Sequence, residues 1–133
     1  MEDQLDANVL VRYLAAAAAK QLAEAEQVIE GCRHDAEPLF LSAVVMCETM
    51  WVLERSYKLS KPAIIGVLES ILEKDLFQIE HDSAVRRSLH VFRAGNGSFA
   101  DYLIGEIARQ AGCRDTVTFD RALRGAVGFT ALA

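Results

Sequence analysis

PLFLSAVVMCETMWVLERSY, Pro38 to Tyr57, is the stretch on which the fold class turns. Pro38 precedes Leu39-Phe40-Leu41, a short continuous apolar run of the kind that suits a strand buried on both faces of its sheet. Ser42 then offers a side-chain cap for a helix over Ala43 to Tyr57. A doubly buried strand that passes straight into a helix predicts a parallel sheet.

The same alternation extends in both directions. Towards the N-terminus, Leu5 ends a short first strand, Glu2-Asp3-Gln4-Leu5, which is unusually polar, and Asp6 and Asn8 interrupt the apolar segment. Val9 to Leu14 then runs into Ala15–Ala19, a strong helix former, and a helical pattern over Gln21 to Glu30 closes at Gly31. Towards the C-terminus, Ser60 caps a helix with Pro62 in its first turn that reaches about Lys74, and Phe77-Gln78-Ile79-Glu80 reads as a third strand. A helix from about Asp82 to Arg93, a Gly95-Asn96-Gly97 turn and a helix from Ser98 to Ala111 closed by Gly112 follow. Thr116 to Phe119 is a fourth strand, and after a helical turn Val127 to Leu132 makes a fifth. Strands alternating with helices at these lengths predict an α/β fold, a mostly parallel sheet between helices, with no linker, repeat or second domain.

Composition narrows the function classes. A chain of 133 residues with net charge −5 has the size of one domain and lacks the basic footprint that announces duplex DNA binding. Cys32, Cys47 and Cys113 are odd in number, share no CxxC spacing and sit in or beside apolar segments, so they are expected to be buried free thiols in a reducing cytoplasm. The opening MEDQLDANVLVRYLAAAAAK begins with acids, so no signal peptide is expected, and no apolar run is long enough to predict a membrane span. His34, His81 and His90 show no metal-ligand spacing and are expected on the surface or at helix flanks, and no GxxxxGK[ST] phosphate loop or GxSxG motif is present.

Four acids stand out. On a helix, Glu48 has Val44, Val45, Trp51 and Val52 three and four positions away, which predicts that it faces inward and therefore needs a partner, a metal or an open cleft. Asp101 closes Ser98-Phe99-Ala100-Asp101, the S-x-x-D form of a capping box. Asp6 and Asp120 end the first and fourth strands, where each could simply cap the following turn. In a parallel sheet the carboxyl ends of the strands share one edge, and the four acids can converge there. Carboxylates in contact repel by up to about 4 kcal/mol per pair at an effective dielectric of 20, so such a cluster needs a cation. Oxygen ligands alone point to Mg²⁺ or Mn²⁺ and away from zinc.

The motifs LDANVLVRYL, LFLSAVVMCETMWVLERSY and SFADYLIGEIARQAGCRDTVTFDRAL, in this order and at these separations, resemble the PIN domains, and among them the VapC-type toxins of bacterial toxin-antitoxin pairs. The resemblance implies one PIN-like nuclease domain over residues 1–133, a three-layer α/β/α sandwich around a central, mostly parallel five-stranded sheet. By motif, Asp6 matches the acid of D-T-N-V, Glu48 the acid before W-V-L, Asp101 the last acid of D-F-A-D and Asp120 that of T-F-D. It implies a Mg²⁺- or Mn²⁺-dependent endoribonuclease with these four acids as catalytic metal ligands, Asn8 and Thr118 as supporting donors, RNA as substrate, a VapB-type antitoxin as partner, a homodimer and a cytoplasmic location. Val52 and Leu53 with Ile64, Ile65, Val67 and Leu68 would line the dimer and antitoxin surfaces, although core packing explains them equally well. Arg12, Arg86, Arg87, Arg93, Arg121 and Arg124 are candidates for phosphate contacts.

Two residues depart from the family pattern. Ala7 stands where a threonine is usual, and Ser98 replaces the first acid of D-F-A-D. They motivate an alternative, a catalytically degraded PIN domain that serves only as a binding module. A receiver-like phosphoacceptor domain is a third class, but no lysine follows Lys74 to complete its site.

Overall fold

Leu39 and Leu41 are fully buried in a three-residue strand, β1 (Leu39–Leu41), and this apolar run pairs in parallel with β2 (Phe77–Ile79), Leu39 opposite Phe77. The computed structural model describes residues 3–19, 21–33, 37–73 and 75–132. The chain divides into two compact units, Met1–Glu80 and His81–Ala133.

In the first unit, α1 (Ala7–Ala18) and α2 (Leu22–Glu30) precede β1, while α3 (Ala43–Arg55) and α4 (Lys61–Glu73) link β1 to β2. The Asp6 carbonyl accepts from the N–H groups of Val9 and Leu10, which starts α1, and the apolar positions Leu10, Val11 and Leu14 then fall on one buried face. Tyr13 carries that face to β2 through an edge-on contact with Phe77, ring centroids 6.2 Å apart. Ser42 caps α3 by accepting from the Val45 N–H at 3.2 Å, and Ser60 accepts from the Ala63 N–H at 3.3 Å at the start of α4. Met46, Met50 and Leu53 of α3 are buried, as are Ile64, Leu68 and Ile71 of α4, each side chain contributing about 1.5–3 kcal/mol of hydrophobic stabilisation.

In the second unit, α5 (Asp82–Ala94) packs on α6 (Phe99–Gln110), and β3 (Thr116–Thr118) pairs in parallel with β4 (Phe129–Ala131) around a 3₁₀ turn at Arg121–Leu123. Phe92 and Phe99 meet edge to face at 6.1 Å in the helix–helix contact. Gly112, at φ +100, ends α6 in the left-handed region that side chains resist. The loop before α6 is held by Tyr102, whose hydroxyl accepts from the buried Gly97 N–H at 3.0 Å. Tyr102→Phe leaves that donor unpaired and is expected to cost about 1–3 kcal/mol, read as a lower urea midpoint at unchanged slope.

The α/β class and every helix expected from the pattern are present, with boundaries within two residues of the expected ones wherever those fall on described residues. Other expectations need correction. The first strand is reduced to one parallel bridge between Gln4 and Phe40, because exposed Asp3 and Gln4 give an edge segment no apolar face to bury; Glu2 lies outside the described residues. The hydrogen bonds of the described residues form one two-stranded parallel pair in each unit, the coarse parallel α/β pattern expected. Leu53, Ile64, Val67 and Leu68 are core, so they are not a surface for partners. The cysteines are not in disulfides, but Cys32 and Cys47 are half-buried and Cys113 is exposed: Cys32 and Cys113 lie just past the ends of α2 and α6, and Cys47 lies within α3 between its buried and its exposed face. His81 and His90 are exposed as expected; His34 and the helix end at Lys74 lie outside the described residues. No helix of the described residues is long and apolar enough to cross a membrane.

Candidate functional site

In the first unit, parallel pairing of Gln4, β1 and β2 gives the three segments a common carboxyl edge. Asp6 leaves this edge as the N-cap residue of α1, with extended backbone and an exposed side chain that makes no capping hydrogen bond. The capping alternative for its carboxylate is thereby removed. Asn8 is exposed in the first turn of the same helix, and Ala7 is buried, a small residue where the helix meets the core.

Glu48 lies in α3, about 8 Å along the helix axis from its first residue. Its expected inward orientation is overturned, because Glu48 is exposed, as are Val44 and Trp51 on the same side of the helix. Helix α3 is apolar on two faces, and the face that packs is Ala43, Met46, Met50 and Leu53. Of the three routes open to a carboxylate among apolar neighbours, Glu48 takes the open one.

The edge holds a further acid that the pattern reading did not single out. Glu80, the residue after β2, donates its N–H to the Leu41 carbonyl at 2.9 Å and accepts from the Ala43 N–H at 2.8 Å through Oε1. Its carboxylate thus satisfies an orphan donor at the start of α3, where the helix dipole favours negative charge. An acid directly after a strand, the signal that marked Asp120, was present at Glu80 as well.

In the second unit, Asp101 sits in the first turn of α6, half-buried. Ser98 Oγ accepts from the Asp101 N–H at 3.2 Å and donates to Asp101 Oδ2 at 2.8 Å. The capping reading of this pair is therefore realised, with the serine hydroxyl acting in both directions. Ser98→Ala removes the cap and frees the carboxylate; the expected loss is about 1 kcal/mol, seen as a lowered Tm.

Asp120 follows the carboxyl end of β3 and caps the 3₁₀ turn, its Oδ1 accepting from the Ala122 N–H at 2.9 Å. Thr118 Oγ1 accepts from the Asp120 N–H at 3.0 Å, which orients the turn. Gly97, at the approach to α6, packs so closely on this turn that a Cβ there would lie 2.6 Å from Leu123 Cδ2. That approach brings the start of α6 and the turn that Asp120 caps to the same end of the unit.

Among the described residues, no three His, Cys, Asp or Glu side chains form a group that could hold a metal ion. A pocket of about 430 Å³ in the second unit, lined by residues of α5, α6 and 126–129, includes none of the four acids. Among the candidate arginines, all exposed, Arg86 pairs with Asp82 at 2.6 Å and Arg87 with Glu106 at 3.2 Å.

The chain pairs its short strands in parallel and carries acids at strand ends, and comparison with known proteins gives the family. The PIN domain family model matches residues 4–127, and the chain belongs to that family as a VapC-type member. It is 30% identical over 120 residues to the VapC ribonuclease of Aquifex aeolicus (strain VF5), an alignment that covers 90% of this chain and 88% of that protein. No solved structure matches.

Proposed function

We propose that this protein is a divalent-metal-dependent endoribonuclease, the toxin of a toxin–antitoxin pair, with Asp6, Glu48, Asp101 and Asp120 as its metal-holding acids. The observation that carries this reading is Asp6: its carboxylate is exposed at a carboxyl edge and has no part in capping its own helix. The family match across both units and the likeness to a protein named as a ribonuclease support it. They also support reading residues 1–133 as one PIN-like domain around a five-stranded sheet.

The donor set fits a hard cation. All four groups are carboxylates, three of them exposed and the fourth half-buried, and oxygen ligands of this kind select Mg²⁺ or Mn²⁺. An ion held there supplies positive charge that acidifies a water and offsets charge gathering on the phosphate. Asp6 and Asp101 are assigned as the firmest holders. Glu48 and Asp120 would complete the set of acids that holds the ion and would help orient a water for attack on the phosphodiester, which on hydrolysis would leave a 5′-phosphate and a 3′-hydroxyl. Asp120 keeps Oδ1 on the Ala122 N–H while Thr118 fixes its backbone; Asn8 supports the site from α1. A homodimer, a VapB-type antitoxin and a cytoplasmic location complete the proposal.

The Ser98–Asp101 hydrogen bond favours one alternative, a degraded PIN domain that binds without cutting, because it engages a carboxylate oxygen otherwise available to metal. Purified protein incubated with single-stranded RNA in Mg²⁺ or Mn²⁺, and in EDTA, separates the two. Metal-dependent cleavage that Asp6→Asn and Asp101→Asn both abolish is the expected result; RNA left intact by the wild type supports the binding module.

A further inference from the structure

We infer that the cavity of the second unit, between α5, α6 and residues 126–129, binds a small monocarboxylate with an apolar body. The inference does not depend on the nuclease reading, since none of the four acids lines the cavity. Its volume of about 430 Å³ falls within the range of small-ligand sites, roughly 300–1,000 Å³. Two helix stripes form its walls: Arg87, Val91 and Ala94 on α5, and Tyr102, Glu106 and Arg109 on α6, each spaced by four and then three residues. The helices run antiparallel, because Arg87 meets Glu106 at 3.2 Å while Gly95 packs against the Tyr102 hydroxyl too closely to admit a Cβ. Phe129 sits on Gly105 just as closely and stands edge-on to Tyr102, ring centroids 6.2 Å apart. One end of the cavity is therefore apolar, at Ala94, Tyr102 and Phe129, and the other is charged, at Arg87, Glu106 and Arg109.

A buried hydroxyl and a surplus charge select the occupant. Ser88, next to Arg87 in the chain, is 1% exposed and lines the cavity, and its Oγ is buried without a hydrogen-bond partner. An unpaired buried hydroxyl costs stability, and an acceptor that enters the cavity relieves that cost. The sign of the acceptor follows from its surroundings. Arg87 and Glu106 offset each other, whereas exposed Arg109 forms no ion pair among the described residues, so the charged end keeps a cation that nothing balances. A carboxylate there takes a charge-assisted hydrogen bond from the Arg109 guanidinium and a second from Ser88 Oγ. A phosphate monoester, at about −1.5 to −2, brings more negative charge than this end offsets. The apolar body then runs along Val91 and Ala94 towards the Tyr102 and Phe129 rings.

Octanoate and indole-3-acetate, an aliphatic and an aryl monocarboxylate, are titrated into the full-length protein by calorimetry, with octan-1-ol and octylamine as neutral and cationic counterparts. Backbone amide shifts locate the binding, and urea unfolding follows the variants Arg109→Gln, Ser88→Ala and Ala94→Phe. Saturable binding of at least one acid is expected, with shifts confined to α5, α6 and residues 126–129, and the tighter acid tells whether the body is aliphatic or aryl. Arg109→Gln is expected to weaken it about tenfold and Ser88→Ala several-fold, while Ala94→Phe fills the cavity and abolishes it. The Ser88→Ala midpoint in urea is expected to be no lower than that of the wild type, because its hydroxyl has no partner to lose. Failure of both acids to saturate in the millimolar range, octan-1-ol or octylamine binding as tightly as octanoate, or shifts outside the cavity overturns the inference. So does binding that Arg109→Gln and Ser88→Ala leave unchanged. None of these measurements involves RNA cleavage, so this inference and the nuclease reading fail separately.

Discussion

Asp6→Asn is expected to lower metal-dependent RNA cleavage by at least about 100-fold while leaving stability within about 0.5 kcal/mol of the wild type. The separation of the two effects comes from the way α1 begins. The Asp6 backbone carbonyl accepts from Val9 and Leu10, but its side chain makes no cap, and asparagine is as good an N-cap residue as aspartate. The substitution therefore removes one negative charge and one anionic oxygen, and nothing that the fold uses. If outer partners of a metal ligand alone are worth 10–100-fold, loss of a ligand is worth at least the upper figure. Activity against RNA in Mg²⁺ or Mn²⁺, with Tm recorded on the same preparations, checks both halves. Cleavage within a few fold of the wild type would exclude Asp6 from the site. Asp120→Asn is a poorer probe, because Asp120 Oδ1 also accepts from the Ala122 N–H and the turn is altered with the charge.

Phe99→Ala is expected to carry the largest stability cost, about 3–5 kcal/mol. Phe99 is the first residue of α6, fully buried, and its ring stands edge to face with Phe92 of α5. Truncation loses the transfer free energy of the ring and leaves a void between two helices, against a total stability that for such chains is only about 5–15 kcal/mol. Urea unfolding of the full-length chain measures the effect as a lowered midpoint at unchanged slope. A midpoint close to that of the wild type would show that the second unit does not depend on this contact. Since Phe99 precedes Asp101 by two residues in the same helical turn, the variant is also expected to lose activity in proportion to its unfolded fraction.

Some features were legible in the residues because the interactions that produce them span only a few positions. Ser42, Ser60 and Ser98 each accept from an N–H three residues on, and that short range is why their helices could be placed from the pattern alone. The parallel character of the sheet also followed from local information, since an apolar run such as Leu39–Leu41 that leads straight into a capped helix has few other uses. The placement of Asp6 and Asp120 at strand ends was readable for the same reason.

Glu48 marks where local reading stops. Helix α3 carries two apolar stripes, and a period of 3.6 residues identifies both without saying which one meets a neighbour. Packing within the first unit buried Met46, Met50 and Leu53 and left Val44, Glu48 and Trp51 in solvent. The role of Glu80 was equally out of reach, because its partner, Ala43, is 37 residues away. By itself the sequence determined the order of helices and strands, their caps and the family, all of which depend on spacing along the chain. Tertiary structure decided which face of α3 is covered and which carboxylates are engaged, because burial and long-range hydrogen bonds depend on what the rest of the chain brings alongside.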